Sequence, residues 1–84
     1  MTAREQLIAK KVLDHLHDLD GGQATVLEIH GSIGGLTFCG AAELDGVMAV
    51  LDAQKLVTAV KARFSNHVLK FNLTDAGESA RLQL

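Results

Sequence analysis

The hydrophobic spacing of this chain changes period once, and that change limits its architecture more than any other feature. Before Leu56 the apolar residues recur three and four apart, the spacing of one helix face. Beyond it they alternate, the spacing of a strand. A chain that is helical first and then turns to paired strands is an α+β protein, mostly α.

The helical part divides into three. Ile8, Val12, Leu16 and Leu19 form a stripe that Ala9 and Leu13 widen, which predicts a helix over Ala3–Leu19. Thr2 and Glu5 stand at capping-box spacing at its start, and Gly21 stops it, because glycine tolerates the left-handed end of a helix. Gln23–Ala24 leaves room for a token strand. Thr25 with Glu28 repeats the capping-box spacing and opens a second helix. Its apolar face is Val26, Ile29 and Ile33, and Gly34-Gly35 ends it; Leu36–Gly40 reads as a connection. The third helix, Ala41 to about Gln54, is the most regular, with Leu44, Val47, Met48 and Leu51 on one face.

Over Leu56–Phe64, Val60, Ala62 and Phe64 alternate with Lys61 and Arg63. Over Val68–Leu73, Leu69, Phe71 and Leu73 alternate with Val68, Lys70 and Asn72. The polar cluster Ser65-Asn66-His67 joins them as a turn, so the pair is a β-hairpin with Phe64 and Phe71 on its core face. Thr74 is expected to cap a last short helix that docks through Ala76, Ala80 and Leu82 or Leu84.

At 84 residues the chain is read as a single domain over 1–84. Its 48% hydrophobic content supplies one core but leaves little room for a deep pocket, so no small-molecule substrate is expected. So small a core points to a partner copy that contributes stability. Cys39 is the single cysteine and cannot form an internal disulfide, which fits a reducing, cytoplasmic setting. Met1–Lys11 scatters charge among its apolar residues, unlike a signal peptide, and the longest apolar stretch, Gly46–Leu51, is far too short to span a bilayer. No membrane association is expected.

Two segments carry a family resemblance. Leu44–Val57 looks like a third helix running into a first wing strand. Phe71-Asn72-Leu73-Thr74-Asp75-Ala76-Gly77 looks like the y-x-L-T-x-x-G run that closes the wing in many bacterial regulators. With the helices before them, they make nearly the whole chain similar to the winged helix-turn-helix family. The resemblance implies a three-helix core, a two-stranded β-hairpin wing and a short C-terminal helix. It also implies DNA binding, with the third helix in the major groove and the wing on the backbone or minor groove.

The residues themselves modify that expectation. With Leu44, Val47, Met48 and Leu51 turned inward, the opposite face of the third helix carries Ala42, Gly46, Ala49 and Ala53, flanked by Val50. Glu43, Asp45, Asp52 and Gln54 stand on its shoulders. Base edges are read by Arg, Lys, Asn, Gln or Ser, and only Gln54 qualifies. Small residues about a turn apart allow close approach of another helix, and Gly46 costs about 1 kcal/mol against alanine in a helix interior. Ala42, Gly46, Ala49, Val50 and Ala53 are therefore a candidate protein interface, as in a homodimer. Helix propensity alone is the plainer account of the alanines.

Charge is partitioned as well. Gly21–Gln54 holds four acids (Glu28, Glu43, Asp45, Asp52) and no Lys or Arg, whereas Lys55–Thr74 holds four bases and no acid. On a chain of net charge −2 the hairpin is a positive patch. Lys55, Lys61, Arg63, His67 and Lys70 are the candidate nucleic-acid contacts. The plainer account is a solvated hairpin whose lysines discourage edge pairing. No exposed aromatic residue is expected for base stacking, since both hairpin phenylalanines are assigned to the core.

Catalysis and metal binding find no support. His15 and His17 point about 200° apart on a helix and cannot share a metal. His30 and His67 lack sequence-local partners, Cys39 reads as a buried or incidental thiol, and Gly31–Gly35 lacks P-loop spacing. No cofactor, metal or enzyme activity is expected. The leading expectation is a DNA-associated, transcription-regulatory module that meets double-stranded DNA mainly through the wing. The alternative is a protein-interaction or dimerisation module that uses the third helix.

Overall fold

The computed structural model describes residues 2–34, 40–65 and 67–84. The expected helix stop at Gly35, the connection from Leu36, the thiol Cys39 and the turn residue Asn66 lie outside the described residues.

Helix α1 spans Ala3–Asp18. Thr2 Oγ1 accepts the Glu5 N–H while the Glu5 carboxylate accepts the Thr2 N–H, so the capping box forms as its spacing predicts. Ile8, Ala9, Val12, Leu13 and Leu16 are fully buried. After Leu19 the chain makes a 3-10 turn, Asp20–Gly22, in which Gly21 (φ 78°) and Gly22 (φ 62°) take left-handed conformations that a side chain would strain. Strand β1, Gln23–Thr25, follows, and then α2, Val26–Ile29, with Thr25 and Glu28 forming the second capping box. A π-helical turn, His30–Gly34, continues α2 and buries Ile33.

Helix α3, Ala41–Ala53, buries Leu44, Val47, Met48 and Leu51, the four residues its spacing selects. Strands β2 (Val57–Lys61) and β3 (Val68–Leu73) form the hairpin, and helix α4 is Asp75–Arg81. The sheet is antiparallel in the order β1-β3-β2, so the last strand is the central one. The described helices and strands enclose a shared core to which α1, α2, α3 and the sheet all contribute.

Three expectations need correction. Strand β2 ends at Lys61, and Phe64 is 94% exposed instead of joining the core. Alternation along β3 is broken: Val60 pairs with Lys70 but Lys61 pairs with Val68, and this irregularity leaves Val68 packed on the core with Leu69 half exposed. Ala76 in α4, and Leu82 and Leu84 beyond its end, are exposed. Of the expected docking residues Ala80 does pack against the core, and buried Gly77 joins it.

Gly77 explains the L-T-x-x-G run. The Thr74 hydroxyl accepts the Gly77 N–H to cap α4 and is itself 2.7 and 2.9 Å from the carbonyl oxygens of Lys55 and Leu56. The Thr74 N–H also donates to Leu56 O. These bonds pin the last helix to the connection between α3 and β2, and they fix how the hairpin leaves the helical core.

Candidate nucleic-acid interface

The hairpin tip is closed by the Ala62 N–H donating to His67 O at 2.7 Å and the Ser65 N–H donating to Ala62 O at 3.2 Å. The Ser65 hydroxyl accepts the His67 N–H. Within this turn Phe64 holds a left-handed conformation, φ 63°, which costs an L-residue about 1 kcal/mol or more. That backbone carries its ring into solvent. The Arg63 guanidinium lies 5.0 Å from the ring centroid, within cation–π range.

The hairpin brings Lys61, Arg63 and His67, all exposed, to its tip. Lys70 lies on β3, half-buried, and its ammonium donates to Gln23 Oε1 across the β1–β3 ladder. Lys55 is exposed, with φ 61°, but precedes β2 at the end of the hairpin away from the tip. The five candidates therefore make a cluster of three with two outliers. Lys70 already has a partner within the chain.

On α3, Ala42, Gly46, Ala49 and Ala53 are exposed and Val50 is half-buried, as the helical spacing predicts. Among the described residues a Cβ on Gly46 would meet nothing within 4 Å, so their packing does not require that glycine. Gln54 is exposed at the end of the helix.

The acids on the shoulders of α3 have partners that the sequence did not reveal. Glu43 forms a two-pronged contact with Arg4 of α1, Nε to Oε2 at 2.7 Å and Nη2 to Oε1 at 2.9 Å. The hydrogen bonds from Arg4 and its charge hold the Glu43 carboxyl below its ordinary range, against a smaller cost of burial. His30 Nε2 lies 2.7 Å from Asp45 Oδ1 and joins the turn after α2 to α3. Asp52 Oδ1 accepts the Ala59 N–H at 3.2 Å and ties α3 to β2. The negative charge on this helix thus serves the packing of its neighbours, and Arg4 offsets part of it.

Between α3 and the hairpin runs an open groove of about 460 Å³ lined by Asp45, Met48, Asp52, Ala59, Lys61 and His67, among others. A shallower concavity between α2 and β3 shares Val26, His67 and Val68 with it and is bordered by exposed Leu27 and Leu69. Among the described residues no three His, Cys, Asp or Glu side chains gather as a metal site would require. No described helix is long and apolar enough to cross a membrane.

A known structure shares this arrangement. BpsR of Bordetella bronchiseptica, a protein whose DNA binding is regulated by 6-hydroxynicotinic acid, superposes with a TM-score of 0.70 and 22% sequence identity. The match covers 99% of this chain and 55% of that one. The fold is a winged helix. In its terms α2 and α3 are the helix-turn-helix pair and β2–β3 is the wing, with β1 as the third strand beside it. The chain spans about half the length of the BpsR structure it matches. No family model matches the sequence, and no curated protein does either.

Two features of this winged helix escaped the sequence reading. Exposure of Phe64 was hidden because Val60, Ala62 and Phe64 keep strand alternation into what is in fact the turn. Its only local signal is its place directly before Ser65-Asn66. Pairing of Glu43, Asp45 and Asp52 had no local signal, since Arg4 is 39 residues from Glu43.

Proposed function

We propose that residues 1–84 act as one DNA-binding module of a transcription regulator, and that the wing rather than the third helix makes the main contact with the duplex. The observation that carries this reading is the cluster of exposed Lys61, Arg63 and His67 at the wing tip, set against an α3 whose outer face is Ala42, Gly46, Ala49 and Ala53 with the acids Asp45 and Asp52 beside it. Phosphates are held by cations such as Lys61 and Arg63, and base edges need long polar donors and acceptors that α3 lacks. The winged-helix fold shared with DNA-binding BpsR supports the same reading. Lys55 and Lys70 would extend the contact, Lys70 only by leaving Gln23. An electrophoretic shift assay at low salt tests it: the duplex should be retarded, and Lys61→Ala with Arg63→Ala should abolish the shift. Retardation that is indifferent to both substitutions would place the contact elsewhere.

A second reading is favoured by Gly46, whose cost in a helix interior no contact among the described residues explains. On that reading Ala42, Gly46, Ala49, Val50 and Ala53 meet a protein, in the simplest case a second copy of this chain. Replacing Gly46 or Ala49 by glutamate should dissociate the oligomer in light scattering. A monomer before and after the change rules out self-association.

A further inference from the structure

We propose that Phe64 is a base-stacking residue, and that the wing tip binds an unpaired base beside the duplex rather than duplex alone. The inference rests on the wing being the nucleic-acid contact, as proposed above, and deepens it. Phe64 is 94% exposed in the turn of the hairpin, where an aromatic side chain gains nothing from the core. Its left-handed backbone is the conformation least suited to a bulky residue, so local geometry would favour glycine or asparagine there.

The surroundings of the ring identify its ligand. Arg63 lies over the ring at 5.0 Å, with Lys61 and His67 exposed at the same tip. A stacked cation beside an aromatic face open to solvent is the combination that holds single-stranded nucleic acid, the ring taking a base and the cations its phosphates. A paired base shows the groove only its edges. To offer a face it must first be unstacked from its neighbour, which an unpaired base need not be. The exposed face is therefore matched most readily by a base already unpaired, as in a single-stranded tail or bulge.

The experiment uses the full chain and two DNA probes that carry 2-aminopurine, whose fluorescence is quenched by stacking. One probe places it in a single-stranded tail next to a duplex, and the other places it paired in a blunt duplex of the same sequence. Wild-type protein should bind the tailed probe more tightly and quench it. Phe64→Ala should weaken tailed-probe binding by about 5- to 150-fold, leave blunt-duplex binding unchanged, and be rescued by Phe64→Tyr. An equal loss on both probes would make the ring a wedge in the duplex groove, and no loss on either would leave it outside the contact; each overturns the inference. Both leave wing binding to DNA intact, whereas wild-type protein that binds neither probe at low salt overturns the proposed function itself. Thermal unfolding of Phe64→Ala should match wild type, which ties any loss to contact and not to folding.

Discussion

A Cβ added to Gly77 would lie 2.1 Å from the Leu56 carbonyl oxygen. It would also lie 2.7 Å from Leu73 Cδ1. Leucine could rotate away, but the Leu56 carbonyl cannot, because it also accepts the N–H of Thr74. Gly77→Ala should therefore destabilise the domain by about 1–3 kcal/mol, as overpacking does. Thermal denaturation followed by circular dichroism should show a drop of roughly 4–8 °C for each kcal/mol. An unchanged midpoint would mean that α4 can shift away from the α3–β2 connection.

Gly46 should respond in the opposite direction. It stands inside α3 with open space where a side chain would go. Gly46→Ala should raise stability by about 0.5–1 kcal/mol through helix propensity alone. The same denaturation experiment measures it, and a loss of stability would reveal a close neighbour on that face, such as a second copy.

Acid should loosen the junction of α1 and α4. Asp14 is 3.2 Å from both Lys10 Nζ and Arg81 Nη1. Burial opposes the shift, but hydrogen bonds and charge from Lys10 and Arg81 together hold the Asp14 carboxyl below the ordinary value of 3.8. A carboxyl depressed on folding stabilises above its unfolded pKa, and that contribution disappears as pH falls through the folded value. Denaturation midpoints of wild type and Asp14→Asn should differ near neutral pH and converge as pH falls below about 4. A constant difference down to pH 2 would exclude Asp14 as an acid-labile contact.

Salt dependence should count the cations in the wing contact. Lys61→Ala and Arg63→Ala should each reduce the slope of log affinity against log salt by about 0.9. Lys55→Ala should change it less, since Lys55 lies at the other end of the hairpin. Equal slopes for wild type and Lys61→Ala would remove that lysine from the phosphate contact.

Much of the fold was legible because it is local. Both capping boxes form between residues three apart, and the stripes of α1 and α3 depend on neighbours three and four apart. The buried face of α3 matches the spacing residue for residue, and that of α1 does so except at Leu19, which caps the helix and is only partly buried. β1 was legible only as a hint at Gln23–Ala24, since its existence depends on pairing with β3 nearly fifty residues later. Of the candidate site, composition and order revealed the basic hairpin and the small-faced helix. They did not reveal that Lys70 leans on Gln23, or that Lys55 stands apart from the tip.

The change of hydrophobic period near Leu56, with the residues that cap and punctuate each segment, determined three helices, a hairpin and a closing helix. Tertiary structure alone decided where Phe64 points, because the backbone leaves strand geometry at Lys61 while the apolar alternation continues. It also decided what the acids of α3 do, because Arg4, His30 and Ala59 reach them only once the elements have packed. Propensity and periodicity act between neighbours in sequence. Charge pairing, close backbone approach and exposure act between neighbours in space.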